Sequence, residues 1–162
     1  VLHQADKGLT ADATALWGSS DADAWLSENA GMGGPKTYHW DGGRWTQDTR
    51  VMGNVYCLAG SSGADVWAGS NQAVNRYNGS TWTRMMIPAS TGVTGYIRSI
   101  AAISPNEAYL ADSNGVVVKW DGTAFKRVDI GYATTTYSNM ALYAADSNNV
   151  WVAGRGLLSN RR

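Results

Sequence analysis

Apolar and polar residues alternate in short runs along the chain, and the runs recur at a fixed interval. Val66-Trp67-Ala68-Gly69 alternates as a half-buried strand does, and Ala24-Trp25-Leu26-Ser27, Ala108-Tyr109-Leu110-Ala111 and Val150-Trp151-Val152-Ala153 take the same place elsewhere. Their aromatics fall at 25, 67, 109 and 151, a spacing of 42 residues each time. A second set of short runs keeps that spacing: Thr14-Ala15-Leu16-Trp17, Tyr56-Cys57-Leu58-Ala59, Arg98-Ser99-Ile100-Ala101 and Met140-Ala141-Leu142-Tyr143. Ser-, Asp-, Asn- and Pro-rich turns separate the two sets at 19–21, 61–63, 104–106 and 146–148.

A third feature predicts two more strands in each of the first three repeats. Trp40-Asp41-Gly42-Gly43-Arg44-Trp45, Tyr77-Asn78-Gly79-Ser80-Thr81-Trp82 and Trp120-Asp121-Gly122-Thr123-Ala124-Phe125 each read aromatic, Asp or Asn, Gly, two residues, aromatic. Asp-Gly and Asn-Gly tolerate positive φ and close hairpins, so Gly42, Gly79 and Gly122 are expected to be structural. Four strands in about 42 residues is the span of one propeller blade. The expected fold is therefore all-β: a β-propeller of four-stranded antiparallel blades in a single domain over 1–162. The blades fall near 14–48, 56–86, 98–129 and 140–161. The last repeat stops before its hairpin turn, and residues 1–4 are expected to supply its missing outer strand, which removes exposed sheet edges. An eight-bladed ring built by two chains, or a larger ring of which this is a part, is the alternative.

Trp25, Trp67, Tyr109 and Trp151 are expected to fill the space between neighbouring blades. Positions 18, 60, 102 and 144 hold Gly, Gly, Ala and Ala, small residues that suit a crowded centre. Asp23, Asp65, Glu107 and Asn149 form a polar column best explained as turn residues that accept nearby backbone N–H groups.

Composition narrows the function by exclusion. Thirteen basic and thirteen acidic residues cancel, and no basic cluster longer than Arg161-Arg162 exists, so nucleic acid finds no electrostatic footprint. No apolar run approaches the ~18 residues of a membrane helix. Cys57 is the one cysteine, which leaves no internal disulfide and no thiolate metal site. Eight Trp and eight Tyr against one Phe favour half-buried faces and interfaces over a dry core. No secretory leader is visible, and the opening Val1 is compatible with a removed leader or an excised segment.

No catalytic constellation emerges, so the chain is expected not to be an enzyme and to need neither cofactor nor metal. His3 and His39 have no neighbours at metal-ligand spacing. A sialidase-like glycoside hydrolase fragment would need an arginine cluster and opposed carboxylates. Arg50, Arg84, Arg98 and Arg155 are scattered, although Arg98 falls on an inner strand.

A binding or scaffold role fits better, with a protein partner or a glycan as ligand. The irregular Gly-containing connections at 28–36 and 90–95 are the candidate surface for a protein. For a multivalent lectin, Trp17 and Tyr143 are candidates, because the other blades have Ala59 and Ala101 there. Trp40 with Asp41 and Trp120 with Asp121 make a second candidate pair. A homodimer is possible on the same reading. Asn78-Gly79-Ser80 matches an N-glycosylation acceptor, inside a turn the fold requires anyway.

The Asp65-Val66-Trp67-Ala68-Gly69 and Val150-Trp151-Val152-Ala153-Gly154 runs, with the hairpins at 40–45 and 120–125, resemble a bacterial propeller-repeat class with Asp-Val-Trp and Trp-Asp-Gly blade motifs. A weaker likeness, through Gly79-Ser80-Thr81-Trp82, is to Kelch and Asp-box repeats; Asn75 and Tyr77 stand where the Asp-box has Ser and Asp. The resemblance implies blade architecture and a secreted or cell-surface location, and brings no activity.

Overall fold

A computed structural model of the chain describes residues 11–29, 34–131, 141–154 and 157–161. For 157–161 only the backbone path is described. Strands β1 (Asp12–Ser20), β2 (Asp23–Asn29), β3 (Pro35–Trp40) and β4 (Trp45–Asp48) form one antiparallel sheet in sequence order. Strands β5 (Cys57–Ser62), β6 (Asp65–Gly69), β7 (Ala73–Tyr77) and β8 (Trp82–Met86) form the second. The third is built from β9 (Ile97–Ser104), β10 (Glu107–Asp112), β11 (Val117–Trp120) and β12 (Phe125–Val128). The fourth holds β13 (Ala141–Asp146), β14 (Asn149–Gly154) and β15 (Leu157–Arg161). The chain is thus all-β, with four blades as the repeat predicted. The proposed outer strand from residues 1–4 lies outside the described residues.

The first strand of each sheet packs on the first strand of the next: β1 on β5, β5 on β9 and β9 on β13. β13 and β1 make no comparable contact among the described residues. The strand register then gives each blade a forward face, toward the next blade, and a rear face. On the first blade Trp17, Trp25 and His39 lie side by side on the forward face, while Leu16, Leu26 and Tyr38 share the rear face.

The ruler aromatics seal the junctions. Trp25 reaches from the first blade to Tyr77 and Trp82 of the second, with ring centroids 5.1 and 5.0 Å away. Trp67 reaches Trp120 of the third blade at 6.3 Å, in one cluster with Val74, Ile97, Ile100, Leu110 and Phe125. Trp25, Trp67 and Tyr109 are 1% exposed or less, whereas Trp151 is 38% exposed. The expectation for Trp151 needs correction: among the described residues no blade lies in front of it, and it fills no inter-blade space there.

The hairpin turns owe their shape to side chains as well as glycine. Gly42, Gly79 and Gly122 have φ of 90°, 92° and 92°, the region closed to most L residues. Asp41 Oδ1 accepts the N–H groups of Gly43 and Arg44, Asn78 Oδ1 those of Ser80 and Thr81, and Asp121 Oδ1 those of Thr123 and Ala124.

Two local expectations change. A Cβ at Gly60 would sit 2.6 Å from the Trp17 ring, so the small residue there makes room for the preceding blade's indole rather than for a crowded axis. The polar column works sideways rather than on backbone N–H groups. Ser19 Oγ donates to Asp23 Oδ2 and His39 Nε2 lies 2.6 Å from Asp23 Oδ1; Ser61 and Arg76 both donate to Asp65. Glu107 pairs with Lys119 and accepts from Ser147 of the fourth blade. Each column acid therefore ties its own turn to the third strand or to the next blade.

Candidate binding face

The two rims of the blades carry different side chains. The tight first-turn and hairpin tips occupy one rim. The connections between blades occupy the other, and three of the six large apolar side chains that stay exposed among the described residues lie there: Met52, Met86 and Tyr96, at 52%, 62% and 41%. The remaining three, Leu16, Tyr143 and Trp151, lie on the end blades.

Tyr56 and Tyr96 meet on the connection rim with ring centroids 4.6 Å apart. The Arg98 guanidinium rides over both rings, 5.3 Å from Tyr56 and 5.6 Å from Tyr96. Asn71 pairs with Tyr96 through the backbone and Asn54 Nδ2 reaches the Tyr56 hydroxyl at 3.5 Å, so strands from two blades hold the cluster. Arg84 donates to the Met52 carbonyl, which holds the Met52 backbone against the second blade. Neither Arg84 nor Arg98 forms an ion pair with a carboxylate among the described residues. The rim thus offers two tyrosines, two methionines and two uncompensated cations.

The 90–95 connection on this rim is firmly built. Ala89–Thr91 makes one 3₁₀ turn, Gly92 follows with φ 83°, and Val93 is 2% exposed in the core. Asp112, fully buried, accepts the N–H groups of Thr94, Gly95, Asn114 and Val116. Such a loop presents a fixed surface. Within 28–36, Glu28 and Lys36 belong to β2 and β3 and lie 3.6 Å apart, and residues 30–33 lie outside the described residues.

The other candidate residues are already engaged by the fold. Trp40 Nε1 donates to the Asp21 carbonyl and Trp120 Nε1 to that of Pro105, so both indoles latch hairpin to turn. Asp41 and Asp121 shape their own hairpins; backbone N–H groups and Arg44 depress the Asp41 carboxyl, and Lys126 and Thr123 hold that of Asp121 far below the usual range. Trp17 is half-buried against the second blade, while the equivalent Tyr143 is 64% exposed. They do not form one pocket. Arg50 is committed to Asp48, Arg84 and Arg98 face other partners, and Arg155 lies outside the described residues. Cys57 has its sulfur against Gly69 and Ile97, and desolvation pushes its thiol up to about 12, an unreactive setting.

One groove was not legible in the sequence. A cavity of about 490 Å³ opens between the third and fourth blades, lined by Tyr109, Lys119, Lys126, Val128, Val150 and Val152 among others. Trp40, Tyr77 and Trp120 stand opposite Ala24, Val66 and Ala108 in the first three blades; Arg161 stands opposite Val150 in the fourth. Lys119 and Lys126, which line the groove, are held by Glu107 and Asp121. Among the described residues no group of three or more His, Cys, Asp or Glu is placed to hold a metal.

No protein-family model and no curated protein matches the sequence. The fold itself recurs in solved structures. The chain superposes on the computationally designed Ika8 protein with a TM-score of 0.70 at 18% identity, covering 96% of this chain and 47% of that one. It is similar to YCF48 from Cyanidioschyzon merolae (TM-score 0.66, 15% identity, 93% of this chain, 50% of that one), and less closely to YCF48 bound to D1 peptide (0.51, 16%, 86% and 59%). A third likeness is to the extracellular domain of the hybrid two-component system BT4673 from Bacteroides thetaiotaomicron (0.65, 15%, 93% and 20%). At these identities the likeness is one of fold. The chain spans half of these proteins' length, or less, in the better superpositions.

Proposed function

We propose that the chain is a non-catalytic recognition and scaffold unit whose connection rim binds a protein segment that is both apolar and acidic. The observation that carries this reading is the Tyr56–Tyr96–Arg98 stack flanked by Met52 and Met86. Aromatic, Met and Arg side chains are the types enriched at protein interfaces, and an Arg held over two aromatic rings without a carboxylate of its own favours an acidic partner. The peptide held by YCF48 supports the reading by analogy of fold, and the extracellular BT4673 domain supports a secreted or surface location in the same way. The more specific bacterial repeat class remains part of this proposal, resting on the blade motifs.

A repeated-pocket lectin draws less support, because Trp40, Asp41, Trp120 and Asp121 spend their polar atoms inside the hairpins. Selection of displayed linear peptides against the chain, run beside a glycan array, tests the choice. Selected peptides should be acidic and apolar, and Arg98→Glu or Tyr96→Ala should weaken them by roughly tenfold or more, as expected of a central contact. Arg44→Ala, at an exposed hairpin tip on the other rim, should leave binding unchanged. Peptides indifferent to Arg98 and Tyr96, or glycan binding alone, would overturn the proposal.

A further inference from the structure

The junctions inside the molecule follow a size rule that its two ends also obey. At the first junction the large Trp17 lies on Gly60. At the second, Ala59 faces the third blade and Ala102 packs into the same core cluster. The repeat positions then pair Ala101 with Ala144, and leave Tyr143 on the last forward face and Gly18 on the first rear face. Large side chain meets glycine, and small meets small. Tyr143 and Gly18 complete the series as another large-to-glycine pair.

The aromatics tell the same story. Trp25 is covered by the Tyr77–Trp82 pair, and Trp67 by Trp120, which packs on Phe125 at 5.0 Å. The first blade carries its own pair, Trp40 and Trp45, 5.7 Å apart at the same register place, with no blade behind it among the described residues. Trp151 is a ruler aromatic with no such pair in front of it.

The apolar position two residues before the small one repeats the pattern. Ile100 is 8% exposed under the second blade and Leu142 packs under the third, but Leu16 is 66% exposed. Each end of the arc thus shows one half of an inter-blade junction.

We infer that the forward face of the fourth blade, through Tyr143 and Trp151, docks on the rear face of the first blade of a second copy, at Gly18, Leu16 and the Trp40–Trp45 pair. The arc does not satisfy its own ends: among the described residues β13 and β1 make no contact comparable to those of the other first strands, and Tyr143 and Leu16 remain exposed with all four sheets in place. A two-fold axis lets both copies use both ends, so the head-to-tail contact closes instead of growing into a filament. Two arcs of four blades make eight, within the size range of propellers. The inference does not depend on what the connection rim binds.

The test uses the 162-residue chain in solution. Light scattering at micromolar concentration should give twice 17.3 kDa. Tyr143→Arg and Leu16→Arg each alter a side chain that is exposed in the single chain, so each should keep the strand circular dichroism while weakening dimerisation by roughly tenfold or more. An equimolar mixture of the two variants retains one intact junction and should recover heterodimer that neither forms alone. A wild-type mass of 17.3 kDa would overturn the inference, pointing to further blades on a longer polypeptide or to closure within one chain. Dimers indifferent to both substitutions, or no recovery on mixing, would overturn the head-to-tail geometry.

Discussion

The second-to-third junction and the free forward face of the fourth blade are built from the same repeat and end in opposite states. Trp67, Val74 and Leu110 are fully buried at the first; Trp151 and Tyr143 are 38% and 64% exposed at the second. Repeat chemistry alone does not create the difference, since Asp65-Val66-Trp67-Ala68-Gly69 and Asn149-Val150-Trp151-Val152-Ala153 are close copies. The lesson is that a blade stores its stabilising surface on its faces and realises it only when another blade arrives, as expected of repeat arrays.

The largest test of that contrast is to truncate both indoles. Trp67→Ala removes a fully buried side chain and should cost about 3–5 kcal/mol in chemical denaturation, enough to unfold the arc. Trp151→Ala should cost about 1–2 kcal/mol in the single chain, less than Trp67→Ala, since over a third of Trp151 is already in water. Equal costs would mean that the fourth blade's forward face is covered.

Asp112→Ala comes next. It strips four buried or half-buried N–H groups of their acceptor and should lose about 3 kcal/mol, with faster amide exchange confined first to residues 94–95 and 114–116. No change in exchange there would mean that the loop is held by Val93 packing instead.

Gly60→Ala and Gly18→Ala sharpen the size rule with a smaller effect. The new Cβ at 60 meets the Trp17 ring and the Asp65 carbonyl at 2.6 Å, an overpacking worth about 1–3 kcal/mol. At 18 it meets the Asp23 carbonyl at 3.0 Å and, in the single chain, no ring of a preceding blade, so in the undimerised Tyr143→Arg background the loss should be visibly smaller by thermal melting. A reversed order would break the rule.

The smallest expected effect is a pH dependence of the third-to-fourth junction. Burial pushes the Glu107 carboxyl up, but Lys119 and Ser147 hydrogen bonds outweigh it and hold the group below its ordinary value. A depressed folded pKa stabilises above the unfolded value of ~4.3 and loses that contribution as the pH falls through the folded one. Stability should therefore drop below about pH 4, and Glu107→Gln should flatten that acid limb. An unchanged limb would show that the pair contributes nothing.

Much of this was legible along the chain because it is local. The 42-residue period located every blade, and the Asp-Gly and Asn-Gly turns placed three hairpins where they are found, since positive φ and an Asx acceptor act within four residues. The extent expected for the short last repeat, 140–161, ends where β15 is found. The polar column was placed correctly and explained wrongly, because its partners His39, Arg76 and Lys119 sit a strand away, where pattern reading does not reach.

The period, the strands, the turns and the choice of buried aromatics were thus determined by the amino-acid sequence, each through interactions of a few neighbouring residues. Tertiary structure alone decided which copies of the repeat are sealed and which stand open. It alone assembled the stack of Tyr56, Tyr96 and Arg98: Tyr56 and Arg98 hold the same repeat position in successive repeats, and Tyr96 joins them from the irregular connection between blades. It alone opened the groove beside Tyr109, between the third and fourth blades. The physical reason is the same in each case: a face gains its energy from what is laid against it, and identical strands at the middle and the end of an array have different neighbours.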